Sequence, residues 1–163
     1  MKPTINIPMS VILQATVIAG VLDLLSAFVY ALIEGHNALI VPIGIASAVW
    51  PGAKSSLGAG IVVGVLLHFA IMLVMVCVFA LAVRRWSKLA AQPVLAGVAY
   101  GLLLWAVMYL VVLPLRWPTL FPHFISTGVM EQLFSHVVLV GIPVAWLIGN
   151  SAKARYLGVA AHE

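Results

Sequence analysis

Charge is what this chain has least of. Four acids and eight Lys or Arg make up the whole ionic complement of its 163 residues, 7% in all. A soluble domain averages about 25% charged residues, so a soluble surface is excluded. Cysteine is nearly absent as well: Cys77 stands alone inside an apolar run, which rules out an intramolecular disulfide and reads as a small buried hydrophobe. The sequence also lacks a phosphate-binding Gly-Lys loop, a Gly-x-Ser-x-Gly elbow, a Cys-x-x-Cys pair and a His-Glu-x-x-His helix. Enzyme activity is therefore the less favoured class.

What is present is apolar: 64% of residues are hydrophobic and the mean hydropathy is +1.21. A span needs about 20 mainly apolar residues, and four stretches qualify, at 12–33, 57–83, 94–113 and 128–149. The expected fold is all-α, a polytopic membrane four-helix bundle, with residues 1–163 forming a single integral membrane domain. The first run is too long for a secretory core, carries Asp23 at its centre and lacks a small-x-small cleavage site after it. It reads as a retained helix. Ser10 is placed to cap it, and Ser55 or Ser56 the second. Pro93 suits the first turn of the third helix, and Pro114 marks its end. Pro143 falls inside the fourth run and predicts an irregular helix with a freed carbonyl near Leu139.

Basic residues set the expected orientation. Lys2, Arg84, Arg85, Lys88, Lys153 and Arg155 share one side, whereas Lys54 and Arg116 fall on the other. The positive-inside rule then puts both termini in the cytoplasm. The charge reads as orientation and not as a nucleic-acid surface. The two outer loops carry Trp50-Pro51 and Trp117-Pro118, suited to the interfacial aromatic belt. The apolar stretch between Leu39 and Trp50 is too short to span, and is expected as an interfacial or re-entrant segment of the first outer loop.

The halves match weakly, in a 2+2 pattern. Ala19-Gly20-Val21 precedes Asp23 as Ala96-Gly97-Val98 precedes Tyr100; Trp-Pro precedes the second span and the fourth; Gly60…His68 parallels Gly128…His136 at identical spacing. A duplication would relate the halves by an axis along the membrane normal. His68 and His136 would share one depth, about 12 Å below their glycines, and could face each other. Ala15, Ala19, Asp23 and Ala27 form a stripe at i+4 spacing, as do Gly60, Gly64 and His68, and Gly97, Gly101 and Trp105. Small-residue stripes mark close helix contact in membranes, so Asp23 and His68 should point into protein.

An ionisable residue in mid-span is a functional-site hypothesis by default. Asp23 is either a hydrogen-bonded carboxyl joining helices or a proton carrier. His68 and His136 either bond neighbouring helices, or act with Asp23 as a proton relay, or ligate a b-type haem axially, or bind a metal ion. Zinc or copper would want a further ligand, for which Asp23 is the candidate. Glu131, with Gln132 and Ser135 beside it, is either a solvated acid near the helix start or the outer access group above His136. Glu34, His36, Asn37 and His123 are expected in solvated outer loops, and His162 and Glu163 in a terminal tail.

At Ala19–Asp23 (Ala-Gly-x-x-Asp), Leu67–Ile71 (Leu-His-Phe-x-Ile), Val112–Leu115 (Val-Leu-Pro-Leu), and His136 followed by Gly141-x-Pro143, the chain resembles small four-span bacterial inner-membrane proteins of unknown function. More distantly, Glu131 and His136 at i+5 resemble a stretch of the YagU-type inner-membrane proteins. The likeness runs over most of residues 12–149. It implies a bacterial inner membrane and transfers no activity. The leading expectation is thus an integral membrane protein whose Asp/His centre handles protons or a small ion, alone or as a subunit. The rivals are a bis-histidine haem module and a structural accessory subunit of a larger membrane complex. Expected partners are the lipid bilayer and either a second copy or such a complex, with no nucleic acid.

Overall fold

The structure is a computed structural model that describes residues 6–122 and 126–160, without the side chains of Ser126 and of 155–160. Lys2, His123, His162 and Glu163, and the side chain of Arg155, lie outside that description. Among the described residues there is no strand. The helices are α1 (Met9–Ile33), α2 (Ile40–Ala46), α3 (Leu57–Arg85), the short α4 (Lys88–Ala91), α5 (Pro93–Arg116) and α6 (residues 126–160). Four of them, α1, α3, α5 and α6, are long and apolar enough to cross a membrane. At most 39% of the most apolar 18-residue window of any of them is buried within protein. Leu13, Val17 and Leu25 of α1, and Val62, Leu66 and Val74 of α3, face outward. Helices apolar on every side, with those outer faces left uncovered, suit a lipid surround and not water.

The helix ends follow the sequence in part. Pro93 occupies the first turn of α5, where its missing N–H costs nothing. Ser10, expected as a cap, lies inside α1 instead; Pro8 holds the cap position and makes no side-chain bond. Ser56 stands at the cap of α3, also without a side-chain bond. The third helix does not stop at Pro114, for α5 continues to Arg116. The reason lies just before the proline. Residues Met108–Val112 widen into a π-helical turn, and Ser135–Gly141 do the same ahead of Pro143. A proline lacks the N–H for the carbonyl four residues back and its ring presses on that carbonyl. The carbonyls concerned, of Leu110 and Leu139, both fall within the widened turns.

Glycines set how closely the helices approach. A Cβ on Gly97 would stand 2.7 Å from the Ile142 Cα, and one on Gly101 would collide with the His136 carbonyl. A Cβ on Gly20 would sit 2.6 Å from the Phe69 ring. So α1 meets α3, and α5 meets α6, each through a glycine in the first helix of its half. The parallel stops at the other pair of glycines: Gly60 packs on the Ala53 carbonyl, whereas Gly128 has open space around it. The matched spacing of the two glycine–histidine pairs does not create matched surroundings.

The interior divides into two halves along the bundle axis. Toward the Arg84–Lys88 end, Val76, Phe79 and Val83 of α3 pack with Val144, Ile148 and Ala152 of α6. Tyr100 closes this core from α5: its ring stands 4.9 Å from that of Phe79 and its hydroxyl donates to the Met75 carbonyl at 2.7 Å. Toward the Trp50 and Trp117 end the helices part around a cavity.

Candidate functional site

The cavity measures about 890 Å³, within the roughly 300–1,000 Å³ of small-molecule sites. Its walls come from all four long helices and from α2. The short α2 is the segment expected in the first outer loop, and it leans on α3. Gly64 makes this contact, since a Cβ there would overlap the Pro42 backbone. Gly64 lies seven residues into α3, about 10 Å along its axis, so α2 reaches below the helix start as a re-entrant segment does. Arg116 fastens the far end of α2: its Nε donates to the Ala48 carbonyl at 2.7 Å and its Nη2 to that of Ser47 at 2.9 Å. A cation on the last carbonyls of a helix also complements its dipole.

Asp23, His68 and His136 all line this cavity. They arrive from α1, α3 and α6. His68 is 8% exposed, and its Nε2 donates to the Gly20 carbonyl at 2.9 Å, a bond from α3 to α1. A carbonyl accepts only, so Nε2 carries a proton. His136 is half-buried and bonds within its own helix, Nδ1 donating to the Gln132 carbonyl at 2.9 Å. Its Nε2 takes no part in that bond. Asp23 is half-buried, and its carboxyl makes no hydrogen bond among the described residues. One carboxyl and two imidazoles thus converge on one cavity from three helices.

Hydroxyls surround this group. Ser26 donates to the Asp23 carbonyl at 2.8 Å and lies 2.8 Å from the Ser135 hydroxyl, which joins α1 to α6. Tyr30 lies one turn above Ser26 and also lines the cavity, as does Gln132. Asp23, Ser26 and Tyr30 share a face at i, i+3 and i+7. That spacing is visible in the sequence, and following it upward from Asp23 would have found both residues. Glu131, expected beside the group, does not line the cavity, so Gln132 and Tyr30 occupy the approach to His136. Asn37, exposed as expected of a loop residue, also lines the outer wall and accepts the Leu39 N–H at 2.9 Å. Glu34 and His36 are exposed, as expected.

Two cofactor readings meet this geometry differently. Among the described residues no three His, Cys, Asp or Glu side chains come close enough to hold a metal ion. A haem held by both histidines through Nε2 would require His68 to give up its bond to Gly20. No family model, curated protein or solved structure matches the chain. The site is therefore read from its own chemistry.

Proposed function

We propose that this protein is an integral membrane protein of the bacterial inner membrane whose Asp23/His68/His136 centre handles protons on the lining of an internal cavity. The observation that carries the reading is the convergence of one carboxyl and two imidazoles, each brought by a different helix, on that cavity. Intramembrane carboxyl–histidine groups are suited to proton relay, because a proton can pass among groups that face a common aqueous space. Asp23 is the carrier, with His68 and His136 as its relay partners. Gln132, Ser135 and Tyr30 lie on the path above them. Below the centre Val76, Phe79, Tyr100 and Val144 pack as a buried layer, so release to the other side needs a rearrangement.

The exposed Arg84, Arg85 and Lys88 support placing that end in the cytoplasm, with both termini, and the cavity mouth outside. In a Cys77→Ala background, an impermeant thiol reagent added outside should label Thr119→Cys and spare Ser87→Cys. The reverse pattern would invert the orientation.

Function itself is tested in proteoliposomes. A pH jump across the membrane should drive a proton flux that Asp23→Asn abolishes while the variant remains folded, because the amide keeps the shape and loses the exchangeable proton. Flux that persists unchanged in Asp23→Asn would defeat the reading. The haem rival has its own test, a Soret band in protein from haem-replete cells that is lost in His68→Ala and His136→Ala. A parent without flux or colour would favour the accessory-subunit reading, tested by mild-detergent isolation of a larger complex.

A further inference from the structure

Asp23 is the one acid among the described residues that line the cavity, and His68 and His136 share that lining. Ser26 spends its proton on the Asp23 carbonyl. Acceptors in a low-dielectric site are costly to leave unmatched, so an occupant should bring donors. Among the described residues no three His, Cys, Asp or Glu side chains are arranged to hold a bare metal ion. A polyatomic cation with several N–H bonds reaches acceptors that stand further apart.

The rest of the lining adds two further constraints. Leu67, Ile71, Met72 and Met75 make the wall on α3 apolar beside His68 and inward of it, toward the Arg84–Lys88 end, and Ile40 and Ile43 line it on α2. Aromatic rings follow toward the mouth, where Tyr109, Trp117 and Phe121 all line the space. The Tyr109 and Phe121 rings meet edge-on at 5.7 Å. Apolar walls favour a hydrophobic body, and aromatic faces attract an ammonium group on its way in. Two cations also border the mouth, Lys54 and Arg116. Arg116 is turned onto the Ser47 and Ala48 carbonyls and over the Trp117 ring, 5.3 Å from its centroid. Lys54 is exposed, where water and salt screen it.

We propose that the cavity binds a lipophilic primary amine, with the ammonium group at Asp23, His68 and His136 and the apolar body against α2 and α3. This names the substrate class of the centre described above and rests on the reading of Asp23 as a proton-handling group. The exchange balances: a protonated Asp23 passes its proton to water in the cavity as the ammonium pairs with the carboxylate, so one positive charge leaves as another arrives. No covalent bond other than the O–H of that carboxyl is broken.

Benzylamine is a suitable probe, with benzoate and benzyl alcohol as its anionic and neutral counterparts. Calorimetric titration of the full chain in detergent should give saturable binding of benzylamine to one site, and none for the other two. Asp23→Asn should weaken it by more than about tenfold, the effect of losing a charge-assisted contact. Ile71→Trp leaves Asp23 intact and fills the apolar wall, and should weaken it as well. Saturable binding of benzoate instead would make the mouth cations the site and overturn the proposal. So would no saturable benzylamine binding, or benzylamine binding that Asp23→Asn leaves unchanged. Asp23-dependent proton flux without benzylamine binding would sink the amine and leave the proton reading standing. Asp23-dependent benzylamine binding without flux would support the amine and sink proton transport.

Discussion

The two ends of this bundle are built from the same helices and solve opposite problems. Toward Arg84–Lys88, side chains of α3, α5 and α6 interlock around Phe79, Val144 and Ile148, each of them at most 2% exposed. Toward Trp50 and Trp117 the same helices diverge around a cavity of about 890 Å³. His68 stands on the cavity lining, where its bond to Gly20 ties α3 to α1. Hydrophobic burial does not decide the difference, because lipid is as apolar as the core. Backbone approach does. Glycines at 97, 101 and 141 bring α5 and α6 into contact in the lower half. In the upper half the short α2 and the widened turn of α5 before Pro114 line the cavity instead. Tight packing supplies the frame, and looser packing supplies a place for polar chemistry.

That comparison is broken most directly at the α5–α6 contact. Gly101→Ala should destabilise the protein by about 1–3 kcal/mol, since the new methyl group meets helix backbone that cannot swing aside. Gly128→Ala, at a glycine with nothing within 4 Å, should be neutral or slightly stabilising through helix propensity, by at most about 1 kcal/mol. Unfolding in mixed detergent–SDS micelles measures both. Equal effects at the two sites would remove the distinction between packed and open halves.

A smaller effect separates the two histidines. His68 ties α3 to α1, whereas His136 bonds only within α6. His68→Ala should therefore cost the ~0.6–1.7 kcal/mol of an interhelical membrane bond, and His136→Ala less. The opposite ranking in the same micelle assay would contradict the assignment of His68 as a tie between α3 and α1.

Much of the frame was legible in the apolar pattern. Four runs of sufficient length predict four helices, and Pro93 marks where one starts. The stripe of Ala15, Ala19, Asp23 and Ala27 correctly turns Asp23 inward, since small residues follow the closely packed face. The cavity was not legible. It depends on α2 bending back against Gly64 and on Arg116 reaching the Ser47 and Ala48 carbonyls, contacts between segments far apart in the chain. Hydropathy carries no information on such contacts. Repeat spacing misled in a particular way: it places both histidines on the cavity, yet it also implies equivalent glycines above them. Gly60 has a neighbour only because the turn at Pro51–Ser55 delivers the Ala53 carbonyl to it. Glu131 was likewise drawn into the site by proximity in sequence to His136, although it does not line the cavity.

The smallest expected effect lies within the polar centre, at the hydroxyl pair joining α1 and α6. Ser26 already donates to the Asp23 carbonyl, so the 2.8 Å contact between the serines requires Ser135 to be the donor and Ser26 the acceptor. The alternative acceptor for Ser135, the Tyr30 hydroxyl, stands at 3.5 Å and is a weaker partner. Ser26→Ala removes the interhelical acceptor and a bond to its own helix; Ser135→Ala removes the interhelical donor alone. Bonds from a serine back to its own helix contribute little, so the two variants should lose similar stability, and their double variant scarcely more than either. A double-mutant cycle should return a coupling of about 0.6 kcal/mol, the average for such bonds inside membranes. Strict additivity would mean that the serines do not share a bond and that α1 and α6 are held apart from the cavity by other contacts. Full coupling with unchanged proton flux in both single variants would place the serines in the frame and leave the chemistry to Asp23 and the histidines.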